Sequence, residues 1–321
     1  MMQSKNTDIP SNLTFNSPNI LPLSKNRIRA LRRIINGRKV AILVGGSSLN
    51  EFQERIEEFR KHDVCFFGIN RFIQEEYILS EINKSYSIFM CSTRENMPNY
   101  FDSILNFLDR DEDNMFISSL YRDTFGALPD TFDYDNFNNI YDRKLLFYWL
   151  SDQGSYPNKK NPLVINSTNS LMSSMQLAII GKASAVILFG ADGFSSKYSN
   201  EKYFKHKLYA GEGDYRQNFE DTRYFFNRIF FRTISNVYRT YGLKKIDIIN
   251  CSVNSNYLWM PKFHYDEVLS YLNGTYNVSF FKKITVFLHS MGENLLVMTI
   301  YHVKRIKNIP GKIRKILYAH R

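Results

Sequence analysis

The sequence predicts an α/β fold: a mostly parallel sheet with helices on both faces, followed by a C-terminal helical tail. Three observations predict it. Short, nearly continuous apolar runs recur along the chain, as strands buried on both faces require. Segments with apolar residues at helical spacing alternate with them. The positive charge gathers at one end, because of a net +11 the first 279 residues carry only +3.

Residues 1–37 read as an N-terminal extension. The start is polar and proline-dotted, with no apolar core of a secretory signal. It is expected to be loosely attached to about residue 26, and a short basic helix, Arg27 to Asn36, follows. The first strand, 39–44, runs into Gly45-Gly46-Ser47-Ser48. Phe52, Ile56 and Phe59 then recur at helical spacing and predict a helix over 50–61. Val64–Ile69 and Tyr86–Met90 fit two further strands, giving the strand–helix–strand spacing of a parallel unit.

The segment 94–154 carries a weaker pattern. It offers a helix, Tyr100–Leu108, an acidic loop, Asp109–Asp113, and an aromatic-rich run, Phe132–Phe137. A polar stretch over 152–162 reads as an exposed loop. Leu163–Ile165 is a short strand, and Ser170–Gly181 a helix with Leu171, Met175, Ala178 and Ile179 on one face. Ala185–Phe189 is a buried-type strand ending in Gly190-Ala191-Asp192. A helix over 218–241 stops at Gly242, and Lys245–Ile249 forms another strand. Strands alternating with helices imply one doubly covered sheet domain over 38–279.

Composition excludes several classes. The 321 residues can bury a large core, and 44% hydrophobic with 23% charged residues is ordinary for a globular protein. Cys65, Cys91 and Cys251 share no close spacing, which excludes a disulfide framework and a zinc pattern and points to a reducing, cytoplasmic setting. A nearly neutral body argues against nucleic acid as partner. The six histidines form no metal-spaced pair.

In an open parallel sheet, ligands bind beyond the carboxyl ends of the strands. Here those ends read Gly45–Ser48, Gly68–Asn70, Cys91-Ser92, Asn166–Ser170, Gly190–Asp192 and Asn250–Ser252, all small or polar. A glycine turn entering a helix leaves backbone N–H groups and a partial positive charge suited to a phosphate, and Ser47 or Ser48 can cap that helix. Asn70 suits either an Asx turn or the edge of a base or sugar. Asp192 suits either a cap or a ribose hydroxyl. The run Asn166–Ser170 holds more polar side chains than one cap needs. Asp109-Arg-Asp111 and Asp133-Tyr-Asp135 match a loose Asp-x-Asp pattern of metal-dependent sugar transfer, against the simpler reading of solvated acidic loops.

The segments "VGGSSL", "GINRF", "NSTNSLMSSMQLAIIGKASAVILFGADGF" and "IINCSVNSNY", in this order and spacing, resemble one superfamily. It joins the family 42 sialyltransferases to the motility-accessory-factor and MptE-like proteins (domain of unknown function 115). The likeness spans about 38–258 and implies a Rossmann-like transferase that uses a CMP-activated nonulosonic acid without a metal. By that resemblance Gly45, Gly46, Ser47, Ser48, Asn70, Asn169, Ser170, Gly190 and Asp192 would bind the donor nucleotide. Tyr198 would hydrogen-bond the leaving phosphate, with Tyr203 as competitor. Gly45 and Cys91 stand where the sialyltransferases have asparagines. Glu212, in Leu208–Glu212, stands where they have the histidine of Tyr-x-Gly-His. A carboxylate performs general-base work when its pKa suits, and His206 is near in sequence.

The tail, 280–321, holds twenty mostly apolar residues, Ile284–Val303, interrupted by His289, Glu293 and Asn294. An interfacial helix with a polybasic end fits better than a membrane span. The expectation is therefore a glycosyltransferase, cytoplasmic and peripheral at the membrane, acting on a glycan or glycolipid acceptor. An MptE-like pyrophosphokinase using ATP and magnesium, with Asp192 and Asp214 as its acidic pair, is the alternative within the superfamily. A non-catalytic glycan-binding or scaffold module is the alternative outside it. The sequence leaves open whether the chain is a homo-oligomer.

Overall fold

Successive strand residues point to opposite faces of a sheet, and here they feed two separate hydrophobic layers. A computed structural model of the chain describes residues 20–46, 48–91, 97–119, 140–151, 164–166, 170–192, 233–253 and 260–279, with isolated positions at 136, 255, 257, 282–284 and 288. The strands are β1 Lys39–Leu43, β2 Val64–Ile69, β3 Ser87–Cys91, β4 Met115–Ser119, β5 Leu145–Ser151, β6 Val164–Asn166, β7 Ala185–Phe189 and β8 Asp247–Asn250. They form one eight-stranded sheet in the order β6-β5-β4-β3-β2-β1-β7-β8. Each neighbouring pair is parallel. The predicted α/β class, Rossmann-like with helices on both faces, is what the structure shows.

Val40 and Ile42 of β1, Phe67 of β2 and Leu188 of β7 face the first layer. It is closed by α1 (Ile20–Ile35), α6 (Ser170–Ile180) and the helix α7, described over 233–241. Ala41, Leu43, Phe66 and Phe189 face the second layer. Its cover is α2 (Leu49–Glu54), α3 (Ile56–Arg60), α4 (Glu76–Ile82), α5 (Met97–Arg110) and α8 (Tyr265–Leu272). Phe52, Phe59, Phe189 and Tyr265 pack ring against ring there, with centroids 4.6–5.8 Å apart.

Several elements differ from the expectation, each for a physical reason. The helix expected from Arg27 begins at Ile20, and it is part of the core: Ile28, Leu31, Ile34 and Ile35 are buried. Its Arg27 donates to the carbonyl of Leu145 at 2.7 Å and its Arg32 to that of Ile180 at 2.9 Å. The helix over 50–61 is broken at Arg55, whose backbone (φ −115°, ψ 12°) leaves the helical region. The Arg55 guanidinium instead gathers Glu51, Glu58 and Asp266 of α8. α6 is buried on every side rather than on one face, since residues 171–180 are all buried. Within it the Ser174 hydroxyl donates back to the Leu171 carbonyl at 2.8 Å. β4, β5 and α8 were not expected at all.

Among the described residues no helix is long and apolar enough to cross a membrane. The segment 284–303 lies almost wholly outside them.

Because α1 closes the first layer, Leu31→Ala is expected to lower the unfolding free energy by about 2–5 kcal/mol in a urea titration. A loss below roughly 0.5 kcal/mol, the range of surface substitutions, would return α1 to a loosely attached extension.

Candidate functional site

Strand order runs outward from β1 to β6 on one side and resumes with β7 on the other. The carboxyl ends of β1 and β7 therefore diverge into loops on opposite sides, the place where doubly wound sheets leave a crevice. Gly45, Gly46 and Ser48 follow β1, Gly190 and Asp192 follow β7, and Asn70 follows β2.

The turn after β1 is stripped of side chains because the chain itself lies against it. Backbone pairing continues past the strands, with the Val44 N–H donating to the Phe189 carbonyl at 2.8 Å and the Gly46 N–H to that of Gly190 at 3.0 Å. A Cβ at position 46 would stand 2.4 Å from the Gly190 oxygen and 2.5 Å from Asp192 Oδ2. Gly190 has φ +73°, and a Cβ on it would stand 2.0 Å from the Val44 oxygen. Both glycines are thus required by the close approach of two loops, before any ligand is considered.

Ser48 carries the next contact. Its backbone N–H donates to Asp192 Oδ2 at 2.9 Å, and its hydroxyl donates to Asp192 Oδ1. Ser48 therefore does not cap α2 with its side chain. The carboxylate of Asp192 takes the donor that a phosphate at this turn would use.

Behind this contact stands a buried polar network from β8. Asn250 Nδ2 donates to the Ala191 carbonyl at 3.0 Å, and Ser255 Oγ donates to the same oxygen at 2.7 Å. Asn250 Oδ1 accepts the Ser252 N–H at 3.0 Å, so the amide is oriented from both ends. The Tyr265 hydroxyl, from α8, donates to the Ser48 carbonyl at 2.8 Å. Burial, and then the negative charge of Asp192, push the Tyr257 hydroxyl up to about 12. Tyr265 is also pushed well up, first by burial and then by the neighbouring Cys251, Glu51 and Asp192. Both phenols are neutral across physiological pH.

On the other side of β1, Asn70 has φ +54°. Asparagine tolerates this left-handed conformation better than most side chains. Its Nδ2 donates to Ser170 Oγ at 3.3 Å, which ties the end of β2 to the first residue of α6.

The structure thus brings Gly46, Ser48, Gly190 and Asp192 into one contact and Asn70 with Ser170 into a second, with Gly45 at the same edge of the sheet. Ser47, Asn169, Tyr198, His206 and Glu212 lie outside the described residues, as do Asp133, Asp135 and Asp214. Asp109 and Asp111 precede β4, at the amino edge of the sheet, away from these loops. There Asp109 accepts from the Tyr141 hydroxyl at 2.8 Å and Asp111 Oδ1 accepts the Asp113 N–H at 2.9 Å, so the pair shapes a turn. Among the described residues no group of three or more His, Cys, Asp or Glu side chains could hold a metal ion. Sequence reasoning missed Ser255 and Tyr265. The signal for Tyr265 was the acidic first turn of α8, Asp266 and Glu267, where Glu267 accepts the His264 N–H at 2.8 Å.

No family model matches the chain and no curated protein matches it. Among solved structures, the chain is similar to the sialyltransferase CstII from Campylobacter jejuni, in complex with a substrate analogue, cytidine-5'-monophosphate. The two are 18% identical over 68% of this chain and 82% of that one, with a TM-score of 0.28. At that score no residue of one is transferred to the other.

Substitutions at two positions separate backbone from side-chain demands. Gly46→Ala is expected to cost about 1–3 kcal/mol in chemical denaturation, as overpacking against a backbone oxygen does. Asn70→Ala is expected to cost about 1–2 kcal/mol, the penalty for a left-handed non-glycine residue, and Asn70→Gly to recover most of it. Equal losses for the alanine and glycine variants at 70 would show that the side-chain bond to Ser170, not the backbone, holds this position.

Proposed function

We propose that the chain is a glycosyltransferase that moves a sialic-acid-like sugar from a CMP-activated donor to a glycan or glycolipid acceptor. The observation that carries this reading is that the reversal of strand order coincides with the Gly46, Ser48 and Asp192 contact, with Asn70 and Ser170 on the adjacent strand end. The order and spacing of the sequence segments quoted above support the choice of donor.

The chemistry of the edge divides the nucleotide. Asp192 accepts two hydrogen bonds from Ser48. An ionised carboxylate has about four acceptor sites, so ribose hydroxyls can still donate to it. Its charge repels a phosphate. The phosphate belongs instead toward Asn70 and the N-terminus of α6, where backbone N–H groups and the helix dipole favour an anion. Two strand spacings, about 10 Å, separate β7 from β2, a span suited to a nucleoside and its phosphate.

In the transfer step an acceptor hydroxyl oxygen bonds to the anomeric carbon of the donor sugar. The bond from that carbon to the phosphate oxygen breaks, and CMP leaves with the electron pair. The hydroxyl proton goes to a general base, which we assign to Glu212 with His206 as the nearby competitor. Tyr198 donates to the departing phosphate. No metal is required in this scheme. The basic tail would hold the enzyme at an anionic membrane surface on the cytoplasmic side.

Thermal unfolding of the full chain with CMP, UDP, GDP, or ATP with magnesium tests the reading. CMP alone is expected to stabilise, by about 2.7 kcal/mol at one hundred times its Kd, and Ser170→Ala to weaken that binding about tenfold, or ~1.4 kcal/mol. Stabilisation by ATP with magnesium alone would favour the pyrophosphokinase. Silence with every nucleotide would favour a non-catalytic module.

A further inference from the structure

A groove of about 810 Å³ runs between α4 and α5, on the second layer of the fold. It is separate from the β1–β7 edge, since its walls are the exposed flanks of these two helices and the short 3-10 turn before α4. A volume near this value is typical of a site for a small ligand.

The floor is apolar, formed by Ile73, Leu79 and Phe107, all buried. The rim is polar in a particular way. On α5, Ser103, Asn106 and Arg110 share one face with Phe107 at helical spacing. On α4, Tyr77 stands at the rim, 53% exposed, with Ser80 one turn on. At the end of α4, both polar atoms of the Asn83 amide are buried with no hydrogen-bond partner among the described residues. Among the described residues no carboxylate lines the groove. Glu81 of α4 is paired with Lys84 at 2.8 Å and faces Arg60 at 3.5 Å.

We propose that this groove binds a short oligosaccharide that bears a carboxylate. Amides and hydroxyls both donate and accept, as an array of sugar hydroxyls demands. An exposed tyrosine beside an apolar floor offers a rigid amphipathic surface for the C–H face of a sugar ring. Arg110 forms no ion pair among the described residues, and its planar guanidinium matches a carboxylate in bidentate fashion. An unpaired buried amide is costly, and a small rotation of Asn83 toward the groove lets a sugar hydroxyl remove that cost. A lipid chain would use the floor but offer the amides and hydroxyls of the rim no hydrogen bonds. The inference stands whether or not the β1–β7 edge binds a nucleotide.

Saturation-transfer NMR on the full chain, with sialyllactose, lactose and maltotriose as probes, tests the site. Sialyllactose is expected to bind more tightly than the two neutral sugars. Tyr77→Ala should weaken it about tenfold, or ~1.4 kcal/mol, with an unchanged melting temperature, and Tyr77→Phe should not. Arg110→Gln should erase the preference for sialyllactose over lactose while keeping lactose binding. Excess CMP should leave all of these signals unchanged. Absence of transfer to every probe overturns the proposal. So does sialyllactose binding that CMP displaces, or that neither variant alters, because either result puts the sugar somewhere other than this groove.

Discussion

The backbone approach of Gly46 to Gly190 is the constraint on which the carboxyl edge of the sheet depends. β1 and β7 are neighbours where the strand order reverses, and their backbone pairing continues past the strands through the Val44 and Gly46 N–H groups. That continuation draws Asp192 onto Ser48, and Asn250 and Ser255 of the β8 region hold the Ala191 carbonyl in place behind it. Tyr265 secures the other side of the turn through the Ser48 carbonyl. Each of these groups is buried or half-buried, where an unmade hydrogen bond costs about 1–3 kcal/mol. The edge is consequently a rigid, preorganised surface, which is what binding at low entropic cost requires.

That arrangement alters what the glycine turn means. From its residues alone the turn reads as a phosphate cradle. In the folded chain a carboxylate occupies the Ser48 donor, and α2 behind it has only six residues before Arg55 diverts the backbone. In the function proposed above the anion-seeking end is that of α6, an eleven-residue helix whose first residue is tied to Asn70. On that proposal the edge divides into a side at Asp192 that accepts hydroxyl donors and a side at the N-terminus of α6 that accepts an anion.

Much of the fold was legible because β1, β2, β3 and β7 are continuous apolar runs, a pattern that only doubly covered strands produce. The strands toward β6 were harder. β4 and β5 lie in a stretch where serine, tyrosine and tryptophan dilute the apolar signal, and β5 has only the short β6 beyond it. α8 was hidden because it opens after a histidine rather than a usual capping residue. At the edge, Asn70, Ser170, Gly46, Ser48, Gly190 and Asp192 were legible as strand-end residues. Their pairing was not, because contacts between residues 144 positions apart, such as Ser48 and Asp192, leave no trace in local pattern. Ser255 and Tyr265 belong to the same class, since each matters through a backbone carbonyl distant in the chain.

The central claim is that a nucleotide sits at the reversal of strand order between β1 and β7. Hydrogen–deuterium exchange of the full chain with and without saturating CMP tests it most directly. The account predicts added protection in peptides covering 44–50, 69–75, 170–175 and 189–193, with the α4 and α5 peptides unchanged. Protection that appears elsewhere and spares these four segments would contradict it.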